Sequence, residues 1–321
     1  MQSVSNQEAS IWLKHQTLSL QLKLLDDVRH PEIHKALKKT LLQGGKRVRP
    51  ILTCLMADLF GIDRDTILPY ARAIEILHSA TLSHDDVIDD SPERRHQPSL
   101  HMITSNKHAI LAGDYLLAEA LLTVSKVGPP DLVTELSKVM MDLSLGEWKQ
   151  LDIANRGYAS IDEIDEVAYL KTGSLLSWCC VAPAFLAKLP FEGIDNCRSL
   201  GRALGQLFQL IDDVLDFSGG DTGKPKGNDT QQGVLNSVVC RLGLISPEEQ
   251  KNLLNFQGLS AAGQRMLDLA IIEVREAAFD AAAKAHKAVD SLSEIRINAE
   301  GSDGARTALH QLIELLLHRA R

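Results

Sequence analysis

Apolar residues recur at helical spacing along most of the chain, and no alternating run of useful length suits a β-strand. Glycine and proline clusters such as "VGPPD" at 127–131 and "KLPFEG" at 188–193 divide this pattern into about a dozen segments. The segment 261–292 is rich in alanine, the strongest helix former. The sequence therefore predicts an all-α fold, a large helical bundle. Since no change of composition marks a linker, we expect a single domain over residues 1–321.

Composition and charge favour a globular protein and argue against nucleic-acid binding and membrane insertion. Hydrophobic residues make up 45% of the 321 positions, enough for a sizeable core. The net charge of −8, without a basic stripe, argues against nucleic-acid binding. No apolar run reaches the ~20 residues of a membrane span, and the polar start lacks a signal-peptide pattern. We therefore expect a cytoplasmic protein without stable membrane insertion. The five cysteines lack metal-binding spacing and should be buried, reduced thiols.

Two acidic clusters of the form D-D-x-x-D lie within these helical segments. One is found in "HSATLSHDDVIDD" and the other in "FQLIDDVLD": Asp85, Asp86 and Asp89, then Asp212, Asp213 and Asp216. Positions i and i+4 share one face of a helix, so each cluster directs two carboxylates to one point. Like charges held so close need cations, and hard oxygen ligands without His or Cys favour magnesium bound together with phosphate groups. The clusters therefore predict a magnesium site and a phosphorylated substrate.

Basic residues occur close to both clusters and upstream of the first. They lie in "GGKRVRP" (44–50), "ERR" (93–95), "LKTG" (170–173) and "GKPKGND" (223–229). Arginine binds phosphate with a planar fork and lysine as a point charge, so these segments suit one or two diphosphates. "GGKRVRP" lacks the GxxxxGK[ST] pattern and no strand precedes it, which argues against a nucleotide P-loop.

This ordered set of motifs, over roughly residues 40 to 240, resembles the trans-isoprenyl diphosphate synthase family. The resemblance implies the isoprenoid synthase fold, with a central active-site cavity, and a homodimer. It also implies a prenyltransferase that condenses isopentenyl diphosphate with an allylic diphosphate. Its metal-binding positions correspond to Asp85, Asp86, Asp89, Asp212 and Asp213, with Asp216 in support. Its allylic diphosphate ligands correspond to Arg94, Lys171 and Lys224. Its isopentenyl diphosphate pocket corresponds to Gly45, Lys46, Arg49, His78 and Arg95.

The same resemblance places Thr172 and Gln209 beside the reacting carbon chain. A histidine on an apolar helix face is by itself most often a core residue, so only the matched motif assigns His78 to the pocket. His84 and His96 have no such match.

In the implied mechanism, magnesium and basic side chains neutralise the departing diphosphate. The isopentenyl double bond attacks the resulting allylic cation, and the released diphosphate takes the proton.

Two departures from the family pattern affect the diphosphate sites. His96 stands where glycine usually follows the arginine pair, and Val234 stands where a lysine is usual. The second change removes one expected phosphate contact, which Lys226 could replace. Weaker diphosphate binding, or a role as the less active partner of a heteromer, therefore remains open.

Product length depends on side chains along the first aspartate helix. Each turn covers about 5.4 Å, close to one extended isoprene unit. The positions that would gauge the growing tail are Thr81, Ala80, Leu77 and Ile74. Short-chain members of the family usually carry a bulky aromatic at the first two. Their small side chains here predict a long product, heptaprenyl to decaprenyl. A floor from Met102 or Leu116, and hence a farnesyl or geranylgeranyl product, remains an alternative.

Two further classes were weighed, a terpene cyclase and a non-catalytic regulatory subunit. A cyclase would share one D-D-x-x-D motif, but the second motif of the same form and the isopentenyl pocket favour chain elongation. A regulatory subunit usually loses aspartates from one motif, whereas both motifs are intact here.

Overall fold

The computed structural model describes residues 24, 30–39, 46–94, 97–218, 234–255, 257–294 and 302–320. Nearly all of this described chain is helical, so the predicted all-α fold is confirmed. In chain order the elements are α1 (Pro31–Lys39), α2 (Val48–Leu59), α3 (Arg64–Ile88), β1 (Glu93–Arg94), β2 (Gln97–Pro98), α4 (Leu100–Ile103), α5 (Asn106–Val127), α6 (Pro130–Arg156), α7 (Ile161–Ala168), a π-helical turn (Tyr169–Gly173), α8 (Ser174–Leu186), α9 (Phe191–Ser218), α10 (Ser237–Ile245), α11 (Pro247–Leu254), α12 (Ala261–Glu294), α13 (Ser302–Leu317) and a 3₁₀ turn (His318–Ala320). The alanine-rich segment predicted to be helical forms α12.

Local capping residues fix where several helices begin. The Asp63 carboxylate accepts a hydrogen bond from the backbone N–H of Thr66 at 2.9 Å and so starts α3. Ser160 and Glu163 form a reciprocal capping box at the start of α7. The Asn236 side chain accepts from two backbone N–H groups in the first turn of α10. Each such cap contributes about 1 kcal/mol. Short-range signals therefore fix the start of α3, which carries the first aspartate motif, and of α7 and α10.

The described residues fall into two compact units. The first takes its residues from 1–138, 178–197 and 293–309, and it contains the first aspartate motif. The second takes its residues from 139–177, 198–292 and 310–321, and it contains the second motif. The single domain expected over residues 1–321 stays a prediction.

In the first unit, α3 packs against both α2 and α5, most extensively against α5. The close packing with α5 depends on small residues. A Cβ added at Gly113 would lie 2.5 Å from the imidazole Cδ2 of His84, so only glycine leaves room for that ring. The Ser83 hydroxyl donates to the Ala109 carbonyl at 2.8 Å. The helix that ends in the first motif is thus held along its length by its neighbours.

In the second unit, a hydrophobic cluster joins α6, α7 and α10. It contains Ile153, Ile164, Val167, Leu235, Val239 and Cys240, with Phe217 packed against it. Burial of each such side chain contributes roughly 1.5–3 kcal/mol to the stability of the folded state. This cluster fixes the start of α10 beside the end of α9, where the second motif lies.

None of the helices in the described part of the chain combines the length and apolar character that crossing a bilayer requires. All five cysteines are buried and free, as the sequence predicted.

Candidate active site

The first aspartate motif occupies the C-terminal end of α3, a helix of 25 residues. Asp85 is half-buried, Asp86 is buried, and Asp89 is exposed as the C-cap residue. The C-terminal end of a helix carries a partial negative charge, and the last turn of α3 contains no basic residue. Three further carboxylates at this end are unfavourable unless cations join them. The position of the motif in the helix therefore creates a site with a strong preference for positive charge.

Arg94 supplies one of those positive charges. The short hairpin of β1 and β2 follows α3, and the Arg94 Nε donates to Asp86 Oδ1 at 2.6 Å. The Asp86 side chain is only 1% exposed, and within the described part of the chain its Oδ2 has no hydrogen-bond partner of good geometry. Burial raises the pKa of this carboxyl, while the Arg94 guanidinium acts in the opposite direction. Asp86 thus holds Arg94, an expected diphosphate ligand, at the first motif.

The "GGKRVRP" segment leads into α2 in the same unit. Lys46 is exposed and Arg49 is half-buried, so both side chains reach the protein surface. Arg47 between them is buried and forms an ion pair with Glu75 of α3. His78, one turn further along α3, is half-buried. The three cations of this segment therefore differ in burial: Lys46 is exposed, Arg49 is half-buried and Arg47 is buried.

The second aspartate motif lies at the C-terminal end of α9, a helix of 28 residues whose last turn also lacks a basic residue. Asp212 is half-buried, and its Oδ1 lies 3.2 Å from Nη1 of Arg319 in the 3₁₀ turn after α13. The Arg319 guanidinium also lies 4.7 Å from the ring centroid of Phe208, a cation–π distance. Asp216 is half-buried. Arg319 thus brings a positive charge to the second motif.

Asp213, the central residue of the second motif, is only 1% exposed. Its Oδ1 accepts from the Gln209 amide at 2.9 Å, and its Oδ2 accepts from the Ser237 backbone N–H at 2.9 Å. The Thr172 hydroxyl donates to the Gln209 carbonyl oxygen at 3.1 Å. A chain of hydrogen bonds therefore links Thr172 through Gln209 and Asp213 to the start of α10. Thr172 and Gln209, which the resemblance put at one place, do lie together.

Lys171 and Thr172 belong to the π-helical turn Tyr169–Gly173. Such turns are rare and frequently occur at functional sites. The Lys171 ammonium forms an ion pair with Glu147 of α6 and donates to Gln150 Oε1 at 3.1 Å. A Cβ added at Gly146 would lie 2.8 Å from Lys171 Cγ, so α6 passes very close to this side chain. Lys171 is thus held from one side by α6.

Several residues that the sequence did not indicate lie beside expected site residues or their immediate neighbours: Glu75, Glu147, Gln150, Ser237 and Arg319. Glu147 and Gln150 are three positions apart, the spacing that puts two side chains on one helix face. That spacing, directly after Gly146, was the available signal for a partner of a lysine. The contacts of Glu75, Ser237 and Arg319 join residues far apart in sequence, and no local pattern indicates them.

Several predicted positions lie outside the described residues: Gly45, Arg95, His96, Lys224 and Lys226. The predicted chain-length positions are described. Leu77 and Ala80 are fully buried within the first unit, and Thr81 is half-buried with its hydroxyl donating to the His78 carbonyl at 2.9 Å. Of the two alternative floor residues, Leu116 is fully buried and Met102 is 58% exposed.

The carboxylates fit a metal that takes part of its coordination from its substrate. Among the described residues, no three His, Cys, Asp or Glu side chains converge closely enough to hold an ion by themselves. Magnesium usually binds one or two carboxylates together with water and substrate phosphates, so a preformed protein cage is not required. Hard carboxylate oxygens and the buried Asp86 Oδ2 are donors of the kind this ion prefers.

Comparison with known proteins gives a consistent result. The family model described as Polyprenyl synthetase matches residues 30–270. A short chain isoprenyl diphosphate synthase from Methanocaldococcus jannaschii is 33% identical over 250 residues, covering 76% of this chain and 76% of that protein. The crystal structure of a decaprenyl diphosphate synthase from Rhodobacter capsulatus has a TM-score of 0.82 and 25% identity, covering 100% of this chain and 98% of its own.

A polyprenyl synthase from Caulobacter crescentus, crystallised with calcium and isoprenyl diphosphate, has a TM-score of 0.81 and 26% identity, covering 99% of this chain and 97% of its own. An all-α fold with an aspartate motif ending each of two long helices, together with these relatives, defines an α-helical synthase of prenyl diphosphates. The chain belongs to the polyprenyl synthetase family and is a prenyltransferase.

Proposed function

We propose that the protein condenses isopentenyl diphosphate with an allylic diphosphate, with magnesium as cofactor, and makes a long-chain trans-polyprenyl diphosphate. The observation that carries this proposal is the placement of two D-D-x-x-D motifs at the C-terminal ends of α3 and α9. At each of these helix ends, the helix dipole and the carboxylates both contribute negative potential. Magnesium with the diphosphate of a substrate is the chemistry that such a potential suits.

Within each motif the carboxylates have different roles in this proposal. The less buried outer residues, Asp85, Asp89 and Asp212, would hold the metal, with Asp216 in support. Asp86 and Asp213 would also bind the metal, and because they are buried and bonded to Arg94 and Gln209 they would orient those neighbours as well. When bound, magnesium supplies Lewis-acid stabilisation of the charge that develops on the leaving diphosphate.

The basic side chains would bind and orient the two diphosphates. Arg94 and Lys171, both fixed by carboxylates of the protein, would contact the allylic diphosphate. Lys46, Arg49 and His78 would bind isopentenyl diphosphate. Prearranged cations stabilise the departing diphosphate without reorganisation at the moment of ionisation. After the new carbon–carbon bond forms, a proton is lost. The released diphosphate would accept it, because the described parts of the motifs place no His or Glu as a base for that step.

The side chains one and two turns before Asp85 would set the product length. Ala80 is too small to stop a growing tail, and Leu77 one turn further is aliphatic. Relatives of this chain include both a short-chain and a decaprenyl synthase, so family membership does not determine the length. The small residues at positions 80 and 81 favour heptaprenyl to decaprenyl products.

A product assay tests this function. The purified protein is incubated with labelled isopentenyl diphosphate, magnesium and each allylic primer in turn, and the products are separated by chromatography. We expect products of about thirty-five to fifty carbons. Products that stop at farnesyl or geranylgeranyl diphosphate despite excess isopentenyl diphosphate would support the short-chain alternative. Activity only in the presence of another chain would support a subunit of a heteromeric synthase.

The substitution Ala80→Phe tests the length assignment separately from the chemistry. A ring at this buried position would block the tail, and we expect products of about fifteen to twenty carbons with turnover of the first condensation retained. Leu136→Met, a nearly volume-conserving change at a buried position of α6, is the control and should leave the product length unchanged. An unaltered product length in Ala80→Phe would place the floor elsewhere.

We also propose a homodimer. Helix α6 exposes Met141, Leu145 and Trp148 at 71%, 47% and 69%, a stripe at helical spacing that a monomer would leave in water. Light scattering after size exclusion should give twice the chain mass. Trp148→Glu should shift the protein toward the monomer, whereas a change at exposed Phe191 should not.

A further inference from the structure

Arg47 has a backbone conformation that is unusual for a residue with a side chain. Its φ of 48° and ψ of 37° lie in the left-handed region, which glycine adopts freely and other residues rarely adopt. It is the N-cap residue of α2, but its side chain makes no capping hydrogen bond. Lys46 directly precedes it, and Arg49 lies in the first turn of the helix. The backbone of Arg47 therefore decides how these two neighbours are presented.

The side chain of Arg47 explains why a non-glycine residue is tolerated there. Its guanidinium forms an ion pair with Glu75, and the two side chains are only 6% and 3% exposed. A buried ion pair strongly resists loss of one partner, because the remaining charge would be left without compensation. Glu75 lies on α3, three positions before His78 and ten before Asp85. The contact thus ties the "GGKRVRP" segment to the helix that carries the first motif.

A buried hydroxyl fixes the first turn of α2 beside this pair. The Thr53 hydroxyl, fully buried, donates to the Arg49 carbonyl at 3.0 Å. Burial raises the pKa of the nearby Cys179 thiol to about 12, and the charges of Arg49 and Glu75 also act on that thiol. Along this segment, Arg47 is buried with Glu75, Arg49 is half-buried with its Nε inside the protein, and Lys46 is exposed.

We propose that Glu75 is a positioning residue for the isopentenyl diphosphate pocket. By binding the Arg47 guanidinium inside the protein, its carboxylate holds the left-handed turn that presents Lys46 and Arg49 to the diphosphate. Glu75 itself does not contact the substrate. This inference rests on the proposed function, since Lys46 and Arg49 are isopentenyl diphosphate ligands only within it.

The substitution Glu75→Gln, which keeps the size and removes the charge, tests the proposal. We expect KM for isopentenyl diphosphate to rise about tenfold, the change that corresponds to losing one charge-assisted contact, with KM for the allylic diphosphate unchanged. The double variant Glu75→Gln with Arg47→Gly should restore KM for isopentenyl diphosphate to within about threefold, because glycine adopts the left-handed turn without a tether. Circular dichroism verifies that each variant is folded.

Should Glu75→Gln fail to fold, Glu75→Asp tests the same contact by distance, because its carboxylate, one methylene shorter, no longer reaches the Arg47 guanidinium. Asp58→Asn is the matched control. It breaks the ion pair between Asp58 and Arg64, 3.0 Å apart at the opposite ends of α2 and α3, and should change neither KM.

A folded Glu75 variant with a normal KM for isopentenyl diphosphate would overturn the inference. Equal increases of both KM values would indicate general structural damage and also overturn it, as would a double variant that stays impaired. If the unaltered protein forms no product from isopentenyl diphosphate, the proposed function itself fails. These outcomes are therefore distinguishable.

Discussion

Asp86 and Asp213 occupy the same position in the two aspartate motifs and are equally buried, but their carboxylates have different partners. Asp86 binds a charged residue, Arg94, that follows it by eight positions in the chain. Asp213 binds two neutral N–H groups, those of Gln209 and the Ser237 backbone. The first region therefore depends on one charge pair formed by a nearby hairpin. The second depends on a hydrogen-bond chain that crosses several helices.

The difference has an energetic consequence. A hydrogen bond between charged groups contributes about 1.5–3 kcal/mol, roughly twice the value of a neutral one. Losing Arg94 leaves a buried carboxylate without a cation, whereas losing Gln209 leaves Asp213 with the Ser237 N–H. The first region should thus be the more sensitive of the two to removal of a single partner.

The largest effect is expected when an outer carboxylate of either motif is removed. Asp85→Ala and Asp212→Ala should each lower turnover by about 10²–10³-fold or more, since each removes charge that holds the metal and the leaving group. Circular dichroism should show an intact fold in both variants. EDTA should abolish turnover of the unaltered protein, and magnesium should restore it.

Asp90→Asn is the control for this experiment. Asp90 is exposed, lies one residue beyond the first motif and has a φ of 48°, a conformation that asparagine tolerates. Its turnover should stay normal. Near-normal activity in Asp85→Ala or Asp212→Ala, or full activity in EDTA, would contradict the assignment of both motifs.

The second largest effect is expected on the free energy of unfolding when a partner of either central aspartate is removed. Arg94→Met should lower the free energy of unfolding by about 2–3 kcal/mol, because the buried Asp86 carboxylate loses its guanidinium partner. Gln209→Leu should lower it by only about 1 kcal/mol. Urea denaturation of the two variants measures both values. Arg64→Met, which breaks a more exposed pair, should cost less than about 1 kcal/mol. Equal losses at positions 94 and 209 would remove the proposed contrast.

The third expected effect is on diphosphate affinity and concerns Val234 in the second region. Val234 is half-buried and lies three residues before Ser237, at the position where the family resemblance leads us to expect a lysine. Val234→Lys should tighten magnesium-dependent diphosphate binding about tenfold through one added charge-assisted contact. Isothermal titration with inorganic diphosphate measures the change, and Val234→Met controls for side-chain length. An unchanged affinity would indicate that another residue, with Lys226 as the candidate, already fills this role.

The smallest expected effect is on the rate at which buried thiols in the two units are chemically labelled. Cys54, Cys179, Cys180 and Cys197 belong to the first unit and Cys240 to the second. Burial raises the pKa of both Cys179 and Cys240 to about 12, so the thiolate fraction at pH 8 is only about 10⁻⁴.

Labelling with a thiol reagent, followed by mass spectrometry, should therefore be slow at all five cysteines in the folded protein and complete in urea. Arg94→Met should accelerate labelling in the first unit by a few fold while Cys240 stays protected. Acceleration at Cys240 alone would contradict the regional assignment.

Much of the local architecture could be predicted because short-range spacing encodes it. The helical periodicity around Asp85 and Asp212, the caps at Asp63 and Ser160, and the alanine-rich α12 depend on residues within one or two turns of each other. The π-helical turn at Lys171 could not be read in this way. Its sequence has an ordinary helical pattern, and the close approach of α6 at Gly146 becomes visible only in the fold.

The sequence by itself determined the fold class, the family and the two acidic motifs, because composition, periodicity and motif order are properties of the linear chain. Only the tertiary structure decided which carboxylates stay near the surface and which are buried with a partner. The central aspartates of both motifs look identical in sequence. Their burial, the inward ion pair of Arg47 with Glu75, and the contact of Arg319 with Asp212 depend on residues brought together from distant positions. Solvation and pairing are set by that three-dimensional environment, which no local pattern encodes.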